Sequence, residues 1–136
     1  MTTTATNTAV QAFICCRLDY CNSMLYGMSD GLLWKVQSIQ NAAARLVTGA
    51  RRCDHITPVL RQLHWLPVRQ RVDYKVACLV HQSLAGHTPA YIADDIQLVT
   101  DSDRRQLRSA AARTCLVPRT HNNFGDRSFN AAGPRV

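Results

Sequence analysis

VQSIQNAAARLVTGARRCDHITPVLRQLHWLPV, running from Val36 to Val68, decides how this chain folds. Gly49 follows an apolar-periodic run, and glycine takes the left-handed conformation that closes a helix without steric penalty. Thr57-Pro58 reads as an N-cap followed by proline at the first helical position, which starts a short helix to about Leu63. His64-Trp65-Leu66-Pro67 reads as a corner, because the residue before a proline avoids helical geometry. Arg51, Arg52 and Asp54 form a charged connection between the first two of these boundaries.

Upstream, Val10, Ile14, Leu18, Cys21 and Leu25 recur at the spacing of one stripe of an amphipathic helix. Gly27 and the Ser29-Asp30-Gly31 cluster end that helix. Leu32, Val36, Ile39, Ala43 and Leu46 stripe the second helix, which Gly49 closes. Downstream, Pro67 opens the strongest helix. Its stripe is Val68, Val72, Val76, Leu79 and Ser83, with Val80 and Leu84 beside it, and Gly86 ends it. Thr88-Pro89 repeats the cap-and-proline signal and predicts a helix to about Leu98. The expected fold is all-α, a small helical bundle of four to five helices with an irregular C-terminal tail. Residues 1–8 are Thr/Ala/Asn-rich and read as a disordered leader. Residues 9–98 read as the helical domain and residues 99–136 as the tail. Within the tail, Asp101 to Arg113 is a charged linker or frayed helix, and Cys115 to Pro118 a short extended piece.

The chain has 136 residues, enough for one domain of ordinary size, and 46% of them are hydrophobic, so it can build a core. Net charge is +7. Fourteen arginines face two lysines, and all nine acidic residues are aspartate. The guanidinium fork matches phosphate and stacks on bases, so the bias leans toward nucleic acid. The first residues lack the apolar core of a secretory signal, and no apolar run approaches the ~20 residues of a membrane span. No membrane partner is expected. An intracellular setting with the six cysteines as free thiols follows.

Tyr91-Ile92-Ala93-Asp94-Asp95 is similar to the Tyr-x-Asp-Asp box in which paired carboxylates hold two metal ions. The spacing fails by one residue, and Thr88-Pro89 places the acids at a helix start, where the dipole favours them. Cys15, Cys16, Cys21, Cys53 and His55 do not reproduce the paired spacing of structural zinc. No phosphate-binding glycine loop, Gly-x-Ser-x-Gly turn or His-Glu-x-x-His is present. The reading is therefore of a chain with no catalytic residues, cofactor, metal or small-molecule substrate. Arg45, Arg51, Arg52, Arg61, Arg69, Arg71 and Lys75 are the candidate nucleic-acid contacts. Arg71 and Lys75 are four apart and share a helix face, where they could follow a phosphate backbone. Trp65 or Tyr74 could offer a ring for stacking; alternatively Trp65 plugs the corner.

Five blocks in order resemble one family. RLDYCNSMLYG (Arg17 to Gly27) resembles its R-L-D/E-Y-C-N-S-L-L-Y-G pattern. QNAAARLVTG (Gln40 to Gly49), DHITPVLRQLHWLPV (Asp54 to Val68) and HTPAYIADDI (His87 to Ile96) come next. FGDRSFNAAGPRV (Phe124 to Val136) is similar to the terminal block F-G-D-R-x-F-x-x-A-A-P. In order, they are spread from Arg17 to Val136. The family is the reverse transcriptase of LINE-type non-LTR retrotransposons, and the matching region is its C-terminal part, the thumb and the rest of the post-palm region. The resemblance implies an RNA-directed DNA polymerase as parent, which copies element RNA at a nicked chromosomal site and hence works in the nucleus. It also implies a helical domain that grips an RNA–DNA template–primer and packs against a palm that is missing here. None of the family's catalytic motifs lies in the matched blocks. Gly133 stands where the pattern has Ala, and the chain stops before the Trp-Asn that usually comes next. The expectation is a truncated or degenerate copy.

Overall fold

The computed structural model describes residues 3–101 and 114–136. The fold is all-α. Among the described residues the only extended pairing is an isolated antiparallel bridge between Leu98 and Cys115. The chain divides into two compact units, Met1–Val72 and Asp73–Val136. The division falls inside a helix, not at residue 98, where the sequence pattern changes.

The first unit begins with α1 (Thr3–Val10), a π turn (Gln11–Cys15) and α2 (Cys16–Asp19), one helical path. The helix thus starts within the segment expected to be a disordered leader. Burial of Val10 in the core ties it down, and Thr8 Oγ1 donates back to Thr4 O at 3.0 Å. The π turn adds a residue and rotates the inward face, so that Cys15 is buried. The helix does not reach Leu25 as its stripe predicts. Tyr20 is extended and Cys21 is left-handed at φ 51°, which turns the chain into a 3-10 turn (Asn22–Leu25) and leaves Cys21 exposed. Ser29, in extended geometry, then precedes α3 (Asp30–Thr48), so the Ser-Asp-Gly cluster opens a helix as well as following one.

α3 is where pattern and structure diverge most. Leu32, Ile39 and Leu46 of the expected stripe are 45%, 53% and 64% exposed, while Gln40 is completely buried with Asn41, Ala43 and Ala44. Gly49 closes the helix at φ 72°, its amide donating to Arg45 O, as expected for a C-terminal glycine. At α4 (Ile56–Gln62) the N-cap position falls to His55, not Thr57, and no side chain caps it. Pro58 still falls in its first turn, where amides have no helical partner to lose. α4 ends in a Schellman turn. His64 takes the left-handed position at φ 56°, its amide bonds Arg61 O, and Trp65 N bonds Leu60 O. That turn drives Trp65 into the core with Val10, Cys15, Ala43, Ala44 and Leu60.

α5 (Val68–Leu84) starts at the corner, and α3 holds it there. Gln40 Nε2 donates to Leu66 O at 2.8 Å, and Gln37 Oε1 accepts from Val68 N at 2.8 Å. Gln37 Nε2 in turn bonds Gln40 Oε1 at 2.9 Å and Asn41 Oδ1 at 2.8 Å. The buried amides of α3 are therefore partnered, the condition for a polar group to lie in a core without penalty.

In the second unit, α5 buries Val76 and Ser83 on the expected face and stops at Gly86, φ 72°. α6 (Ala90–Ala93) is much shorter than the helix expected to Leu98. The chain leaves it because Gln97 to Val99 pairs with the expected extended piece, through Leu116 N to Gln97 O at 2.7 Å and Val99 N to Thr114 O at 2.9 Å. A 3-10 turn (Val99–Asp101) follows, and residues 102–113 of the expected linker lie outside the described residues. Among the described residues after Pro118 the helical pieces are single turns: α7 (Asn123–Asp126), α8 (Phe129–Ala132) and a 3-10 turn (Gly133–Arg135). Asn122 Oδ1 caps α7 by accepting from Gly125 N at 2.7 Å. The hydroxyl of Thr120 and then the guanidinium of Arg135 hold the Asp126 carboxyl below its ordinary pKa. Ala131, Ala132 and Gly133 are buried. A Cβ on Gly133 would lie 2.9 Å from both Val80 Cγ2 and Ile96 Cδ1.

Two stability outcomes are expected in urea titrations. Gln40→Leu costs about 1–3 kcal/mol, because Gln37 loses one of its partners and Leu66 O one of its donors. Gly133→Ala, which restores the residue of the resembled pattern, is destabilising by roughly 1–3 kcal/mol because Val80 and Ile96 must give way.

Candidate nucleic-acid interface

The arginines of the first unit divide into braces and exposed groups. After α3 the chain forms a tight turn in which Arg51 N donates to Asp54 Oδ2 at 2.7 Å and Asp54 N donates to Arg51 O at 3.1 Å. Arg45 reaches over from α3, its Nε donating to Arg51 O at 3.3 Å and its Nη2 to Asp54 O at 3.4 Å. Arg45 is therefore part of the frame of the turn. The side chains of Arg51 and Arg52 are exposed on it, as is Arg61 on α4.

Arg71 departs from its expected role. Its side chain is only 14% exposed, with Nε donating to Leu66 O at 3.0 Å and Nη1 to Asp19 Oδ1 at 2.6 Å. It fixes the corner to the end of α2 and does not form a phosphate-tracking row with Lys75. Lys75 itself is exposed in the second unit. Arg69 pairs with Asp30, but both side chains are mostly exposed, 62% and 86%. Such surface pairs contribute at most about 1 kcal/mol and exchange readily with another anion.

The aromatic assignments also change. Trp65 is a core residue, because the left-handed His64 turns it inward, and it offers no face for stacking. Tyr74 is exposed in the second unit, where a hydrogen bond with Cys78 raises its phenol pKa. The exposed rings of the first unit are Phe13, Tyr20 and, at 68% exposed, Trp34. With Leu33, Gln37 and Val68, Trp34 lines a shallow depression of about 170 Å³ that Asp30 and Arg69 flank. Trp34 was missed in the sequence because it belongs to no stripe. That is itself the signal, since a large aromatic off the apolar stripe of an amphipathic helix has no intrahelical reason to be buried.

Among the described residues no group of three or more His, Cys, Asp or Glu is gathered as a metal ligand set, and all six cysteines are free thiols. Burial pushes the Cys15 thiol pKa up, and the nearby Arg71 partly offsets this. Asp94 and Asp95 follow the last turn of α6 and do not open it, so the dipole argument for their position fails. They are exposed beside a depression of about 140 Å³ lined also by Gln97, Leu116, Pro118 and Asn130, and they are not on a hairpin tip. Among the described residues no helix is long and apolar enough to cross a membrane. No family model, curated protein or solved structure matches the chain.

The division between brace and exposed group is measurable. Arg71→Ala is expected to cost about 1–3 kcal/mol in urea unfolding and to raise the Cys15 thiol pKa further. Arg51→Ala, whose turn bonds are all made by its backbone, should stay within about 0.5 kcal/mol of the parent.

Proposed function

We propose that the chain is the thumb-like, post-palm region of a LINE-type reverse transcriptase. In this reading it holds an RNA–DNA template–primer and has no catalysis of its own. The observation that carries the contact role is the exposure of Arg51 and Arg52 side by side on a turn that Arg45 and Asp54 hold rigid. A preorganised pair of guanidinium forks loses little freedom on meeting two phosphates. Arg61 and Arg69 add charge in the same unit, Lys75 adds charge in the second, and Trp34 supplies a ring for an unpaired base. The five ordered blocks between Arg17 and Val136 support the family, and the net charge of +7 supports the ligand class. The partners of this reading are the duplex and the palm of the parent polymerase, and its compartment is the nucleus.

A second reading, a helical protein-interaction module or an inert remnant of a degenerate element, is favoured by one observation. Leu32, Ile39 and Leu46 stand exposed along one helix.

The deciding experiment is titration of the chain against an RNA–DNA hybrid at several salt concentrations. Binding should weaken linearly in log[salt]. The Arg51→Ala/Arg52→Ala double variant should shrink the slope by about 2 and weaken binding alike for all sequences. Absence of salt-dependent binding at low salt would remove the contact role.

A further inference from the structure

We infer that the depression beside Trp34 selects guanine. It takes one unpaired guanine of a bound strand, stacked on the Trp34 ring with its Watson–Crick edge on the Asp30 carboxylate. This rests on the reading of the chain as a nucleic-acid contact and names the base that the ring receives. The site lies wholly within the first unit. Asp30 and Trp34 are four apart on α3, so they share a face, about 40° apart around the axis and about 6 Å along it. Leu33, Gln37 and the first two residues of α5, Val68 and Arg69, complete the lining. At about 170 Å³ the depression is smaller than the roughly 300–1,000 Å³ of a site that engulfs a whole small molecule. It has room for a flat ring, with the sugar and phosphate left at the rim.

The choice of base follows from which hydrogen-bonding groups are open. Gln37 has no donor to give, because Nε2 bonds Gln40 Oε1 at 2.9 Å and Asn41 Oδ1 at 2.8 Å. Its Oε1 already accepts from Val68 N at 2.8 Å. Leu33 and the buried Val68 side chain supply apolar surface. Recognition therefore falls to the exposed pair at the rim, Asp30 and Arg69. An ionised carboxylate is acceptor only, with about four lone-pair sites, and Arg69 Nη2 occupies one of them on Oδ1. A base edge that meets both oxygens must donate twice, side by side. Guanine alone does so, through N1–H and the N2 amino group. Adenine and cytosine place a ring-nitrogen acceptor beside their amino group, and uracil flanks its one N–H with carbonyls. Each of these sets a lone pair against the carboxylate. A bidentate pair of this kind discriminates between bases by about 5–150-fold. Arg69 serves twice. It neutralises a carboxylate that would otherwise repel the strand, and its remaining donors suit the phosphate of the same nucleotide.

The full chain is titrated at low salt with labelled uridine heptanucleotides that carry guanosine, inosine, adenosine or cytidine at the centre, and binding is read by anisotropy. Inosine keeps the ring and N1–H of guanosine and lacks only the second donor. The guanosine strand is expected to bind at least about fivefold more tightly than the inosine strand. It should also quench Trp34, which is distinguishable because the other of the two tryptophans, Trp65, lies in the core. Trp34→Ala should lower the affinity at least about fivefold, whereas Trp34→Phe, which keeps a ring, should retain most of it. Asp30→Asn, which puts a donor in place of one acceptor at an exposed position, should erase the difference between guanosine and inosine with circular dichroism unchanged. Arg51→Ala/Arg52→Ala should weaken all four strands alike and leave that difference intact. Equal affinity for the four strands, or a guanosine preference that survives Asp30→Asn or Trp34→Ala, would overturn the inference. If the RNA–DNA hybrid still bound with its salt dependence, the contact role would stand without it. Failure of every strand and of the hybrid would remove both.

Discussion

Gln40 is the completely buried polar side chain on which the first unit turns. It donates to the carbonyl of Leu66 while its α3 neighbour Gln37 accepts from the amide of Val68. These are the backbone groups that a proline corner leaves without helical partners, since Pro67 has no amide and a helix start has orphan donors. Two glutamines one turn apart thus act as an external cap for α5. Arg71 adds a second donor to the same carbonyl and ties it to Asp19. The start of α5, the end of α2 and the middle of α3 meet at one carbonyl oxygen.

The arginine excess serves two ends that composition does not distinguish. Arg45 and Arg71 direct their forks at backbone carbonyls, where five donors in a fixed plane can satisfy groups that loops would otherwise leave bare. Among the described residues Arg51, Arg52 and Arg61 have no such bond, and they are exposed. The proposed contact with nucleic acid rests on the exposed set. The braces shape the turn that presents Arg51 and Arg52, so a loss of binding on replacing a brace reports on the fold before it reports on the ligand.

Helix type was legible where short-range chemistry decides it. Gly49 and Gly86 end their helices because a positive φ suits glycine, and Val68, Val72 and Val76 are buried because α5 keeps an ordinary helical period. The first helix departs from its stripe because Tyr20 turns extended and Cys21 left-handed, which no apolar period records. α6 is shorter than its cap signal implies because the pairing of Leu98 with Cys115 ends it, and that partner lies seventeen residues away. In the candidate interface, residue type and exposure of Arg51, Arg52 and Arg61 could be read from a charged connection and a short helix. The conversion of Arg71 into a brace could not.

The sequence by itself determined that the chain is helical, where its glycines and prolines break it, and that its charge is basic and mostly guanidinium. These depend on backbone sterics and side-chain chemistry within a few residues. The tertiary structure alone decided which face of α3 goes inside. Apolar periodicity favours Leu32, Val36, Ile39, Ala43 and Leu46; Ala43 is buried, but Leu32, Ile39 and Leu46 are exposed and Gln40 is buried, because the corner at Leu66 presents polar backbone that a hydrogen-bonding side chain satisfies. The left-handed turn at His64, set by bonds at the end of α4, put Trp65 inside.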